Sequence, residues 1–236
     1  MPIALHGGGE FLPGDEPFLD AVVRAVGTAR SGDRPLHVVL VPTAAARGRP
    51  DLAAAHGVEA FRARGAAAGL TVDADVARIV DVETANDERL AALLANADVV
   101  YFPGGDPDLI PTLLAGTAAE RALRAALERG AVVGGASAGA MAMAEWTWTA
   151  AGGIPGLGFV PGVAVFPHYD ERRRREWQAN LERIAPAGLG YLGLDERTGM
   201  ISEGDEWVVA GEGAAYWFAP GAEDPLVVAA GGRLRL

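Results

Sequence analysis

The chain predicts an α/β protein: a three-layer sandwich with a mostly parallel sheet, helices on both of its faces and an antiparallel C-terminal edge. Three observations carry this. Short apolar runs rich in Val, Ile and Leu recur at 36–41, 76–80, 98–102 and 131–134, after a first short strand at 2–6. Such short, largely apolar runs mark strands buried on both faces. Between them lie helical patterns at 16–29, 51–68, 86–95 and 118–129, and an alternation of strand and helix builds a parallel sheet covered by helices. The last third changes character. Runs at 207–210, 214–218 and 225–228 are separated by Gly-rich turns, which predicts antiparallel strands at one edge of the sheet.

Local signals support the helices. Asn86 reads as an N-cap, followed by Asp87 and Glu88 in an acidic first turn and by Leu90, Leu93 and Leu94 as an apolar stripe. No long linker, internal repeat or low-complexity tail interrupts the 236 residues, so one domain over 1–236 is expected. Half of the residues are hydrophobic, yet no run approaches a membrane span and no signal peptide is visible, which makes a cytoplasmic protein the default expectation. There is no cysteine, which excludes disulfides, thiolate metal sites and a cysteine nucleophile. A net charge of −11 argues against nucleic acid as a partner, because phosphate needs a basic surface.

Chemistry concentrates at one turn. Ala131-Val-Val-Gly-Gly-Ala-Ser137-Ala-Gly-Ala-Met141 reads as a buried strand, a sharp turn and a helix, with Ser137 at the apex. The segment from Gly135 to Gly139 fits G-x-S-x-G, the nucleophile elbow, in which a strained turn exposes the hydroxyl above the sheet. Its glycines answer a close approach of strand and helix. A glycine-rich turn with an incidental serine is the plainer alternative.

In an open parallel sheet, ligands bind at the carboxyl ends of the strands. Three such ends run into glycine-rich or polar loops: His6-Gly-Gly-Gly-Glu10, Pro42-Thr-Ala-Ala-Ala46 and Tyr101-Phe-Pro-Gly-Gly-Asp-Pro107. The Gly104-Gly105 pair lets backbone approach a substrate, and the N–H groups of Gly105 and Ala138 make a candidate oxyanion hole. Taken alone, Gly-Gly-Asp-Pro is equally a tight turn before a helix. A serine nucleophile needs a base, and the chain offers His6, His37, His56 and His168. His37 and His56 lie in or beside patterned elements and read as structural or solvent-exposed. His6 and His168 remain.

In order and spacing these pieces resemble the peptidase E and cyanophycinase family of serine peptidases, which share the class I glutamine amidotransferase-like fold. The resemblance covers most of the chain. It rests on Phe102-Pro-Gly-Gly-Asp106, Gly135-Ala-Ser-Ala-Gly-Ala140, Gly158-Phe-Val-Pro-Gly162 leading to Phe166-Pro-His168, the Arg-rich segment that follows, and Gly193-Leu-Asp-Glu-Arg-Thr198. It implies a serine-type peptidase with Ser137 as nucleophile, His168 as base and no metal or other cofactor. It also implies a homodimer or higher homo-oligomer.

For the acid that orients the base, Glu196 in Gly-Leu-Asp-Glu is preferred by that resemblance. Asp195 and Asp170 are the less favoured acids, and Glu145 is the only acid between Ser137 and His168. Arg172 and Arg175, at i and i+3 of a predicted helix, share a face. The resemblance makes them readers of an acidic side chain or a terminal carboxylate; a solvated face pairing with nearby acids is the alternative. Asp106 and Glu10 complete the expected substrate-binding set. Pro107 departs from the polar residue that cyanophycinase-like enzymes tend to carry there, which turns the expected substrate from a branched Asp-Arg polymer to short peptides. Trp146 and Trp148 either wall the pocket or belong to the core. The expected activity is thus serine-dependent exopeptidase action, dipeptidase- or carboxypeptidase-like. A non-catalytic protein binding an acidic metabolite, and a serine esterase or acyltransferase, are the other two readings.

Overall fold

The buried runs of the sequence become the middle of a twisted eight-stranded sheet. The computed structural model describes residues 1–27, 34–149, 152–169 and 183–236. Strands β1 (Ile3–His6), β2 (Leu36–Leu40), β3 (Val72–Val76), β4 (Val99–Phe102) and β5 (Val132–Ala136) lie parallel in the order β3-β2-β4-β5-β1. Every residue of β1, β4 and β5 is buried. That is what an unbroken apolar run requires, since each large side chain removed from water contributes about 1.5–3 kcal/mol.

Helices α1 (Glu16–Gly27) and α2 (Pro50–Ala67) cover one face, where Phe18, Val22 and Phe61 meet Val38, Leu40, Tyr101 and Val132. The other face packs α4 (Glu88–Asn96), α5 (Leu109–Leu114), α6 (Ala118–Glu128) and α7 (Ala138–Met143), with the short α3 (Val82–Ala85) before them. Among the described residues no helix is long and apolar enough to cross a membrane.

A second sheet extends the same side. It runs β13-β12-β9-β8-β6-β7, from β6 (Ala144–Thr149), β7 (Gly152–Pro155), β8 (Val160–Phe166), β9 (Gly190–Leu194), β12 (Ala214–Phe218) and β13 (Leu226–Ala229). Only β10 (Thr198–Glu203), β11 (Glu206–Gly211) and β14 (Arg233–Leu234) form the antiparallel edge of the first sheet. The C-terminal runs therefore divide between two sheets rather than sharing one edge. The division falls at Gly211–Gly213. Gly211 has φ +134°, and a Cβ on Gly213 would lie 2.5 Å from an Asp195 carboxylate oxygen, so two glycines let the chain swing from β11 onto β9.

Two other expectations shift. The run at 76–80 is not a strand: β3 ends at Val76, and Ala77 and Ile79 enter the core from irregular chain, held by Ala77 N–H on the Leu40 carbonyl at 2.9 Å. Asn86 closes α3, and Asp87 caps α4 through Arg89 N–H at 2.7 Å. Trp146 and Trp148 belong to a small cluster with Ala164 and Phe166 on the second sheet.

The β5–α7 connection leaves no room for side chains at its glycines. A Cβ on Gly139 would sit 2.2 Å from the Phe102 carbonyl oxygen, and one on Gly135 2.4 Å from the same atom. In an open helix Gly→Ala stabilises by up to about 1 kcal/mol. Here the sign reverses: Gly139→Ala is expected to destabilise the fold by about 1–3 kcal/mol, read as a lowered urea midpoint with an unchanged slope.

Candidate active site

Ser137 stands between β5 and α7 with φ +50° and ψ −113°, a conformation that L side chains rarely adopt. Four described non-glycine residues have positive φ: Phe11, Ser137, His168 and Arg197. Phe11 lies in the loop after β1, His168 just beyond β8, and Arg197 between β9 and β10. Strain of about 1–3 kcal/mol per residue persists only where the surroundings impose it. All four lie in the same group of strand-end loops.

The side chains meet there. His168 Nε2 is 3.0 Å from Ser137 Oγ, and His168 Nδ1 is 2.7 Å from Glu196 Oε1. With Nδ1–H donating to the Glu196 carboxylate, Nε2 is left to accept the serine proton. The imidazole and carboxylate side chains remain 46 % and 56 % exposed, so the group opens to solvent.

Backbone brings the three arms together. The carbonyls of His6, Gly7 and Gly8 accept, in turn, the N–H of Ser137 at 2.9 Å, of His168 at 2.6 Å and of Arg197 at 2.7 Å. The glycines are sterically required. A Cβ on Gly7 would lie 2.1 Å from the Asp195 carbonyl oxygen, and one on Gly8 would lie 2.2, 2.6 and 2.8 Å from Cε1, Nε2 and Nδ1 of His168. Gly8 is the floor on which the imidazole rests. Sequence reasoning passed over this role, although three successive glycines at the end of a central strand were its signal.

The other candidates fall into place around this centre. Glu10 Oε1 accepts Gly104 N–H at 2.8 Å, and a Cβ on Gly104 would lie 3.2 Å from Ser137 Cβ, so Glu10 borders the site. Gly105 lies against the Ala44 carbonyl, which also accepts Asp106 N–H at 2.8 Å. Among the described residues neither Gly105 N–H nor Ala138 N–H has an intramolecular acceptor. Asp106 lies 3.6 Å from Arg47, whose guanidinium is held in a two-bond fork by Asp108.

Asp195, next to Glu196 in sequence, faces β12 instead. Its Oδ2 accepts Ala214 N–H at 2.9 Å, and burial raises its carboxyl above the usual range. Glu145 accepts Gly162 N–H at 2.6 Å from β6. His6 is fully buried, 2.9 Å from the equally buried Asp15, with its ring against Phe18. His37 pairs with Asp75, and His56 is an exposed residue of α2. Asp170, Arg172 and Arg175 lie outside the described residues. Among the described residues, no group of His, Asp and Glu side chains is arranged to hold a metal ion.

The family model "Peptidase family S51" matches residues 5–209. A solved peptidase from an acI-B1 Actinobacterium superposes with a TM-score of 0.82 at 23% identity, over 100% of this chain and 96% of that one. A Listeria monocytogenes EGD-e protein, provisionally described as a peptidase E, superposes with a TM-score of 0.59 at 18% identity, over 88% and 96%. These two likenesses establish the fold. No curated protein matches the chain.

Gly8 and Gly9 provide an internal control for the imidazole floor. Both have positive φ, but a Cβ on Gly9 meets nothing closer than 3.4 Å. Gly8→Ala is expected to abolish the Nδ1–H tautomer signature of His168 in nitrogen NMR of its ring, while Gly9→Ala retains it. Equal effects would show that backbone strain, rather than contact with the ring, is what matters at Gly8.

Proposed function

Because the chain belongs to peptidase family S51, and is thereby a serine-type peptidase, we propose that it is an exopeptidase acting on short peptides through Ser137, His168 and Glu196. The observation that carries this reading is the pair of contacts from one imidazole, 3.0 Å to Ser137 Oγ and 2.7 Å to Glu196 Oε1.

His168 Nε2 takes the proton of Ser137 Oγ as that oxygen bonds to the peptide carbonyl carbon. The carbonyl oxygen becomes an anion facing the N–H groups of Gly105 and Ala138. Nε2–H then protonates the leaving amine, the C–N bond breaks, and an acyl-serine remains. Water, deprotonated by the same nitrogen, attacks the ester and releases the acid and the serine. Glu196 stays ionised throughout and holds Nδ1–H, which stabilises the imidazolium that forms twice per turnover. Arg172 and Arg175 take an acidic side chain or terminal carboxylate through bidentate pairing.

Mass-spectrometric analysis of peptides with free, N-blocked and C-blocked ends tests the reading. Ser137→Ala is expected to lower kcat by on the order of 10⁴–10⁶ and Glu196→Gln by about 10⁴. Asp195→Asn, which keeps an acceptor for Ala214 N–H, should stay within a few-fold of the wild type. Cleavage that survives Ser137→Ala would overturn the mechanism. Ester turnover without peptide turnover would make the protein an esterase, and ligand-induced stabilisation without turnover a binding protein.

A further inference from the structure

We propose that Glu10 receives a cationic group of the substrate beside the scissile carbonyl, so that the site selects peptides whose reacting residue carries its own positive charge. This rests on the peptidase reading above and names a determinant of its specificity.

The first observation is position. The space that a side chain on Gly104 would fill lies between Glu10 and Ser137: a methyl group there would lie 2.9 Å from Glu10 Oε1 and 3.2 Å from Ser137 Cβ. The carboxylate therefore stands about one small residue away from the serine. It is next to the Gly104-Gly105 turn whose second N–H faces the reacting carbonyl in the proposed mechanism.

The second observation is charge. Glu10 is half-buried, and Gly104 N–H at 2.8 Å supplies one hydrogen bond to one of its oxygens. Among the described residues no Arg or His comes within ion-pair distance of it. A carboxylate has room for about four hydrogen-bond donors, so acceptor capacity remains. Its field reaches the core as well: the buried Tyr101 phenol is held well above its usual range first by burial, then by Asp15 and Glu10.

An uncompensated anion in this place works against acyl transfer, because the tetrahedral intermediate develops negative charge on the neighbouring oxygen. A substrate that brings a cation removes the conflict and gains a charge-assisted hydrogen bond. At the amino end of a peptide the α-ammonium is attached to the carbon that bears the scissile carbonyl, so serine attack and Glu10 capture are compatible in one pose. A lysine side chain at the reacting residue offers the same chemistry from a longer tether.

Glu10→Gln keeps an amide oxygen for Gly104 N–H and removes the charge. Three matched peptides serve as probes: one with a free amino end, the same peptide N-acetylated, and an N-acetylated peptide with lysine at the reacting residue. For the wild type, kcat/KM should favour the free over the acetylated peptide. In Glu10→Gln that ratio should fall at least 10-fold. Recovery of activity by the lysyl peptide would assign the cation to either source, and no recovery would restrict it to the α-ammonium.

A second measurement does not depend on the variant. The wild-type preference should decline as pH rises past about 8, where a peptide α-amine loses its proton. An unchanged ratio in Glu10→Gln together with a pH-independent preference would overturn the assignment. A neutral serine-directed phosphonate separates the two levels. It should label Ser137 in the wild type and label Glu10→Gln faster, since an opposing anion has gone. Slower labelling of the variant counts against the Glu10 assignment; no labelling of the wild type overturns the peptidase reading itself.

Discussion

Three consecutive carbonyls at the end of β1 hold the site together. His6, Gly7 and Gly8 accept the N–H groups of Ser137, His168 and Arg197 at 2.9, 2.6 and 2.7 Å. Those residues come from three strand ends far apart in sequence, and each is strained, with φ of 50, 50 and 54°. Backbone hydrogen bonds tolerate only a few tenths of an ångström, so one short stretch of chain sets the spacing of Ser137, His168 and Arg197, the neighbour of Glu196, together. The constraint explains why β1 lies inside the sheet, between β5 and β10. An edge strand would have neighbours on one side only.

The template is itself anchored. His6 and Asp15 are fully buried and 2.9 Å apart, while Phe11 N–H donates to the other Asp15 oxygen at 2.8 Å. The loop from Gly7 to Leu12 is therefore clamped at both ends below the surface. These two contacts join the loop to the residue that precedes α1. Their effect here is on conformation: they restrict the loop that carries Gly8 under the imidazole and Glu10 beside Gly104. The positive-φ residues are then held by hydrogen bonds rather than by their own preferences.

How far the sequence revealed this follows from what each signal measures. The central strands were legible because burial on both faces leaves unbroken apolar runs. The run at 76–80 misled because Ala77 and Ile79, on either side of exposed Arg78, are buried without joining the ladder, whereas β3 alternates acidic and apolar residues on an exposed edge. The second sheet was missed as a sheet: Trp, Thr and Gly in β6 and β7 carry no unbroken pattern, and the pairing of β9 with β12 is decided by a turn at Gly211–Gly213. At the site, the serine turn was visible as a local motif. The choice between Asp195 and Glu196 was a question of which side of a strand end faces His168. The tie between Glu10 and Gly104 spans residues whose contact only the assembled sheet creates.

The exposure of the dyad decides what that geometry is worth. A contact as open as His168–Glu196, at 46 % and 56 % exposure, adds little stability in water. In the free protein the pair therefore acts mainly by orientation: it selects the tautomer and turns Nε2 toward Ser137. Electrostatic help for the imidazolium and oxyanion grows only as water leaves. Because the hydroxyl and the imidazole are 3.0 Å apart, a substrate seated on Ser137 also covers the ring. On the proposed reading, contacts raise kcat only where they are stronger in the transition state, as when they dry the dyad while charge develops. A short peptide has little surface with which to do this. On the proposed reading the charged ends of a short peptide supply that hold, and the Glu10 carboxylate stands where one of them would lie.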